Sequence, residues 1–211
     1  MTVTLLLVAA AIGVGSVHTV APDHWMPFAV LARAERWSAK RTALVTALCG
    51  LGHVTTSVAL GLLAVVSGRE LFEVFGRRLE SVAGLLLVGF GVAYAIWGLH
   101  RRMHERAHTH AHAHGVAQPP LTAWSLFLVF SADPCVAVIP LMFGATALGW
   151  TSTLAVVTAY ELATIGTMVV LVLPARAAMH TIRGAWADEW GDALAGGVVA
   201  CVGMAVLGFG I

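Results

Sequence analysis

His18, Asp23 and His24, spaced His-x-x-x-x-Asp-His, stand inside the first apolar segment of this chain. Two imidazoles and a carboxylate placed in hydrocarbon are costly to keep unless they are put to use. Imidazole nitrogen together with carboxylate oxygen suits borderline divalent metals such as Ni, Co, Zn or Fe better than Mg or Ca. A metal site is therefore the first expectation. A second group follows in the next apolar segment, where Cys49, His53, Thr56 and Ser57 share one helical face by three-and-four spacing. Left unpaired near the middle of a span, His53 or Glu161 would each cost on the order of 2–3 kcal/mol, so both are expected to line a pathway. Glu161 is also a candidate proton-coupling group. The threonines and Ser57 are expected to make interhelical hydrogen bonds instead.

Pro22 decides how the first three groups can meet. On an unbroken helix, at about 100° per residue, His18, Asp23 and His24 would point three different ways. Proline has no N–H and its ring clashes with the carbonyl four residues earlier, which here belongs to His18. Proline favours the first helical position and an acid favours the first turn, so Pro22-Asp23 predicts the start of a second half-helix. The three side chains can then converge, with the freed His18 carbonyl as an extra candidate ligand. Ser131-Ala-Asp133-Pro134-Cys135 has the same grammar in the second half, with Ser131 or Asp133 as the expected helix cap. Asp133, Cys135, Glu161 and Thr164 are the candidate pathway residues of that half.

A third cluster lies between the halves. His100, His104 and His108 fall on one face at four-residue spacing, and His110, His112 and His114 then alternate. Tracts of this composition bind transition metals, so these six histidines are expected to gather, buffer or sense the ion. His180 and Cys201 are expected to be packing residues.

The elements that must position these groups are apolar helices. Of 211 residues 59% are hydrophobic and only 11% charged, against about 25% charged in soluble domains, which places the chain in a bilayer. The formal net charge of +1 points to no nucleic-acid partner. Three cysteines, Cys49, Cys135 and Cys201, without CxxC spacing, fit neither a disulfide framework nor a zinc ribbon. The N-terminal Met1-Thr-Val-Thr-Leu lacks the positive flank of a signal peptide, so the first segment is expected to stay in the mature chain.

Crossing hydrocarbon takes about 20 apolar residues, and six segments qualify: 3–22, 41–66, 81–99, 122–148, 151–174 and 191–211. Nine of the 12 Lys and Arg follow the first, third and fifth segments, so the positive-inside rule predicts both termini outside and the His-rich loop in the cytoplasm. Features recur between residues 1–99 and 122–211: a proline-broken helix, a polar-studded helix, a charged amphipathic stretch and a Gly-rich helix. Three helices per half predicts an all-α, 3+3 inverted repeat, with 100–121 as the loop between, and paired broken helices in such repeats point to a midplane transport site.

The pairing of His18-x-x-x-x-Asp23-His24 with Leu51-Gly52-His53-Val54-Thr55-Thr56-Ser57 resembles the nickel/cobalt transporter family (NiCoT), closely over residues 10–60 and in outline beyond. Asp133-Pro134-Cys135 and Tyr160-Glu161 stand where that family carries its second-half elements. The resemblance implies that His18, Asp23, His24 and His53 recognise metal, with Ni2+ or Co2+ as cargo ahead of Zn2+ or Fe2+. It also implies residence in the cytoplasmic membrane of a bacterium or archaeon, in a chain that transports rather than catalyses and that can self-associate. The His-rich central loop is similar to that of the family's efflux branch. The alternatives are a thiol-redox carrier of the cytochrome-c-biogenesis type, for which only Cys135 is suitably placed, and an exporter of small organic ions. A di-iron oxygenase, suggested by His100, His104 and His108, would need further His boxes.

Overall fold

The computed structural model describes residues 1–67, 69–107, 121–133, 135, 137–181 and 190–209. Within them the chain forms eight α-helices and no strand. They are α1 (Thr2–Thr19), α2 (Pro22–Ala34), α3 (Ala39–Ser67), α4 (Arg69–Ala107), α5 (Leu121–Ser131), α6 (Val138–Thr146), α7 (Trp150–Thr181) and α8 (Gly191–Phe209). Five stretches, Thr2–Thr19, Ala39–Val66, Gly84–Met103, Trp150–Met179 and Gly191–Gly208, are long and apolar enough to cross a membrane. Their outer faces carry exposed Leu5, Leu6, Val17, Leu44, Leu63, Leu154, Leu162 and Val170, a display that suits lipid rather than water. The expected span at 122–148 is instead two pieces, the 11-residue α5 and the 9-residue α6, each too short to cross.

The break after α1 follows from Pro22. Thr19 donates its hydroxyl to the Gly15 carbonyl at 2.6 Å, and Val20 and Ala21 close the end with three-residue bonds to Val17 and His18. The His18 carbonyl accepts the Ala21 amide at 3.1 Å, which takes up one of its two lone pairs. Ala21 is extended, Pro22 opens α2 and Asp23 occupies its first turn. The half-helix expected to start at Pro22-Asp23 runs to Ala34 as a core helix in which Phe28, Ala29, Leu31 and Ala32 are fully buried. α2 ends in a Schellman motif: Trp37 and Arg36 donate to the carbonyls of Ala32 and Arg33, and Arg36 takes the left-handed φ of 52°. Arg176 of α7 donates to the Trp37 carbonyl at 2.9 Å and ties this corner down.

The two ends of the chain interleave. α4 runs along α8, α1 along α7, and α3 packs on α5, α6 and α7. The α4–α8 seam is made at backbone distance by Gly84, Gly91 and Gly98 on one helix and Gly196 and Gly203 on the other. Glycine is needed here because a Cβ on Gly196 would meet the Gly91 carbonyl at 2.5 Å. One core gathers Phe28, Leu31, Trp37, Cys49, Leu126, Phe130 and Met168. A second gathers Ala11, Val54, Cys135, Val138, Met142, Val156 and Tyr160. His53 lies on α3 between Cys49 of the first and Val54 of the second, so the polar site is walled by packed apolar side chains on both sides.

Candidate metal centre

Three helices bring three imidazoles together. His18 arrives from the last turn of α1, His24 from the first turn of α2, and His53 from the middle of α3. The His18 and His24 ring centroids are 4.4 Å apart, and those of His24 and His53 5.2 Å, each pair edge to face. His24 is 2% exposed and His53 1%. One nitrogen from each ring lies within 4.8 Å of the other two. Three donors at that separation stand about 2.8 Å from their common centre, so an inward shift of less than about 1 Å reaches the 2.0–2.1 Å of a metal–imidazole bond.

These nitrogens are also without other employment. His18 Nε2, His24 Nδ1 and Nε2 and His53 Nε2 are buried and make no hydrogen bond. Buried polar atoms are almost always paired, and each left unpaired costs about 1–3 kcal/mol. Buried imidazole nitrogens gathered within 4.8 Å of one another make a donor set suited to a cation. Phe130 lines the cluster with its ring, edge-on to His24 at 5.9 Å and tilted against His53 at 5.1 Å. Its carbonyl oxygen lies 3.3 Å from His53 Nδ1.

Asp23 sits beside the three rather than among them. Its Oδ1 is 3.0 Å from His24 Nδ1, within ion-pair distance though neither atom has a hydrogen-bond partner, and the residue is 5% exposed. A carboxylate behind a ligand imidazole orients the ring and raises its basicity. Its position therefore fits a supporting role better than the direct ligation expected from the motif.

The second-half residues are not gathered at this point. Cys135 is buried, its thiol 2.6 Å from the Tyr160 hydroxyl, and its amide donates to Ser57 Oγ at 2.7 Å. Ser57 in turn donates to the His53 carbonyl of its own helix at 2.7 Å, so the bond from the Cys135 amide is the one that reaches beyond α3. Thr164 is buried against Gly15 of α1. Glu161 is half-buried on α7 and Asp133 half-buried in the α5–α6 break, both outside the three-histidine group. Neither Ser131 nor Asp133 caps α6, which begins at Val138 with Ala137 before it and no side-chain cap. In the central tract, His100 is an exposed residue of α4 and His104 lies on the same helix, which runs to Ala107. His108, His110, His112 and His114 lie outside the described residues, as does Pro134.

Phe130 is the contributor that the sequence reading did not include: it serves the site through its backbone oxygen, which Pro134, four residues on and without an N–H, would have signalled. Comparison of the chain with protein families, characterised proteins and solved structures returns no match. The chemistry therefore has to come from the geometry.

Proposed function

We propose that this chain carries a divalent transition-metal ion across a membrane, Ni2+ or Co2+ foremost, with Zn2+ and Fe2+ as related candidates. The observation that carries the reading is the convergence of His18, His24 and His53, with unpartnered buried nitrogens, between helices long enough to cross a bilayer. The ion exchanges water for these three imidazoles, and Asp23 holds His24 from behind. Neutral imidazole suits this group of metals, whereas Mg and Ca want more oxygen.

In this reading α5 and α6 together make a sixth span interrupted in the middle, as α1 and α2 are interrupted at Pro22. Residues 1–99 and 122–211 are then opposed three-helix halves that rock about the site, exposing it to one side at a time. The termini lie outside, and the tract from His100 to His114 concentrates the ion on the cytoplasmic side. The thiol of Cys135 meets a tyrosine hydroxyl rather than a second thiol, which favours metal carriage over dithiol exchange. The deciding experiment is flux of radioactive nickel or cobalt into proteoliposomes holding the native chain or His53→Gln. Native flux that His53→Gln abolishes supports the proposal, and equal flux from both refutes it.

A further inference from the structure

We propose that the break between α5 and α6 sets His53 for the ion without supplying a ligand. The Phe130 carbonyl keeps the ring proton on Nδ1, and Ser57 bolts the far side of the break to α3. This deepens the reading above and rests on it for the identity of the ion's ligands.

A carbonyl oxygen can only accept. Its 3.3 Å contact with His53 Nδ1 is favourable when that nitrogen carries the hydrogen, and in a neutral ring Nε2 is then a bare lone pair. His53 Nε2 is the buried nitrogen without a partner. With the proton on Nε2 instead, two lone pairs would face each other across the Phe130 contact and an N–H would point into the cluster of nitrogens. The oxygen is available because Phe130 is the next-to-last residue of α5, and the chain leaves the helix after Ser131. The Asp133 amide, at 3.4 Å, joins it there. Pro134, four residues on, has no N–H to offer that carbonyl, so no intrahelical partner competes for it.

The other side of the break is fixed by Ser57. Its hydroxyl donates to the His53 carbonyl and accepts the Cys135 amide, both at 2.7 Å. His53 is therefore gripped at its ring by Phe130 and at its backbone by way of Cys135, five residues further on, and the two grips close a loop from α3 through the break. Gly52 lets Ser131 approach this closely, since a Cβ there would collide with the serine hydroxyl. Ser57 and the Phe130 carbonyl are positioning groups. Outer-shell groups of this kind are worth about 10–100-fold in metal affinity.

The test uses the full chain in lipid nanodiscs, labelled with nitrogen-15 in its histidines and titrated with Co2+. The metal-free native protein is expected to show His53, assigned by the signal lost in His53→Gln, with its proton on Nδ1. Ser57→Ala is expected to mix the two tautomers and to weaken Co2+ binding about 10-fold, while Ser57→Thr, which keeps the hydroxyl, restores both. A native His53 protonated on Nε2 overturns the inference, as does a Ser57→Ala protein with native tautomer and native Co2+ affinity. The native tautomer decides even where Ser57→Ala does not fold. A chain that shows the Nδ1 proton yet takes up no Co2+ sinks the transport reading and leaves the positioning intact.

Discussion

Gly196 and Gly197 are neighbours on α8 and should respond in opposite directions to the same added methyl group. A Cβ on Gly196 would stand 2.5 Å from the Gly91 carbonyl oxygen and 2.7 Å from the Ala95 Cα, whereas one on Gly197 meets nothing within 4 Å. Ordinary contact between such atoms falls at about 3.5–4.0 Å, so Gly196→Ala forces α4 and α8 apart by about 1 Å. Overpacking of this size costs about 1–3 kcal/mol, and the upper end applies because backbone atoms have no rotamer by which to step aside. Alanine returns about 1 kcal/mol of helix propensity, which leaves a net loss of about 2 kcal/mol. Gly197→Ala receives the propensity gain alone, so the two variants should differ by about 3 kcal/mol. Reversible unfolding in mixed micelles, titrated with SDS and followed by tryptophan fluorescence, measures that difference. Stabilities within about 0.5 kcal/mol of one another would refute the claim that the seam is set at backbone distance.

Arg36→Gly should stabilise the fold by about 0.5–1 kcal/mol, because a left-handed residue costs a non-glycine about 1–2 kcal/mol and glycine's unfolded-state entropy takes some of that back; the exposed side chain has little packing to lose. The same SDS titration reads it, and a loss of stability would mean that the Arg36 side chain holds the corner. Asp23→Asn should weaken Co2+ binding by about 10–100-fold, the range for a group behind a ligand, and His24→Gln should weaken it further; isothermal titration that finds Asp23→Asn the more damaging would make Asp23 a direct ligand. Co2+ affinity should fall in acid, since a proton and the ion compete for the same imidazole lone pair. An affinity that nowhere falls between pH 7 and about pH 3, in protein that stays folded, would exclude imidazole as the donor.

Proline grammar made the first break legible: a ring that clashes with the His18 carbonyl requires a helix end there, and α1 stops at Thr19. His53 was legible from the cost of an ionisable ring at mid-helix. The start of α2 was legible too, but its burial was not, because Asp23, His24, Pro27 and the flanking Arg33 and Glu35 dilute an apolar pattern whose burial is created by α7 and α8. The second break was placed correctly in outline and wrongly in detail, as Ser131 and Asp133 have cap chemistry but the chain takes several more residues before α6 begins. Gly84, Gly91 and Gly98 recur every seven residues, as do Gly196 and Gly203, a signal for a close helix pair that does not name the partner. Pro134 stands to the Phe130 carbonyl as Pro22 does to that of His18, but that a freed oxygen meets a ring on α3 depends on packing that the sequence does not display.

The short helices bear on how such a chain is made. At 1.5 Å per residue, α2 reaches about 20 Å and α5 and α6 about 16 and 14 Å, all well short of a hydrocarbon layer of about 30 Å. None of the three can settle in lipid alone, since the backbone groups at its ends would have neither water nor protein to bond. They take their places only after the long helices have entered and met. His24 and the Phe130 carbonyl ride on two of those late pieces, so the gathering of His18, His24 and His53 waits for the end of assembly, and on the proposed reading so does any capacity to hold metal.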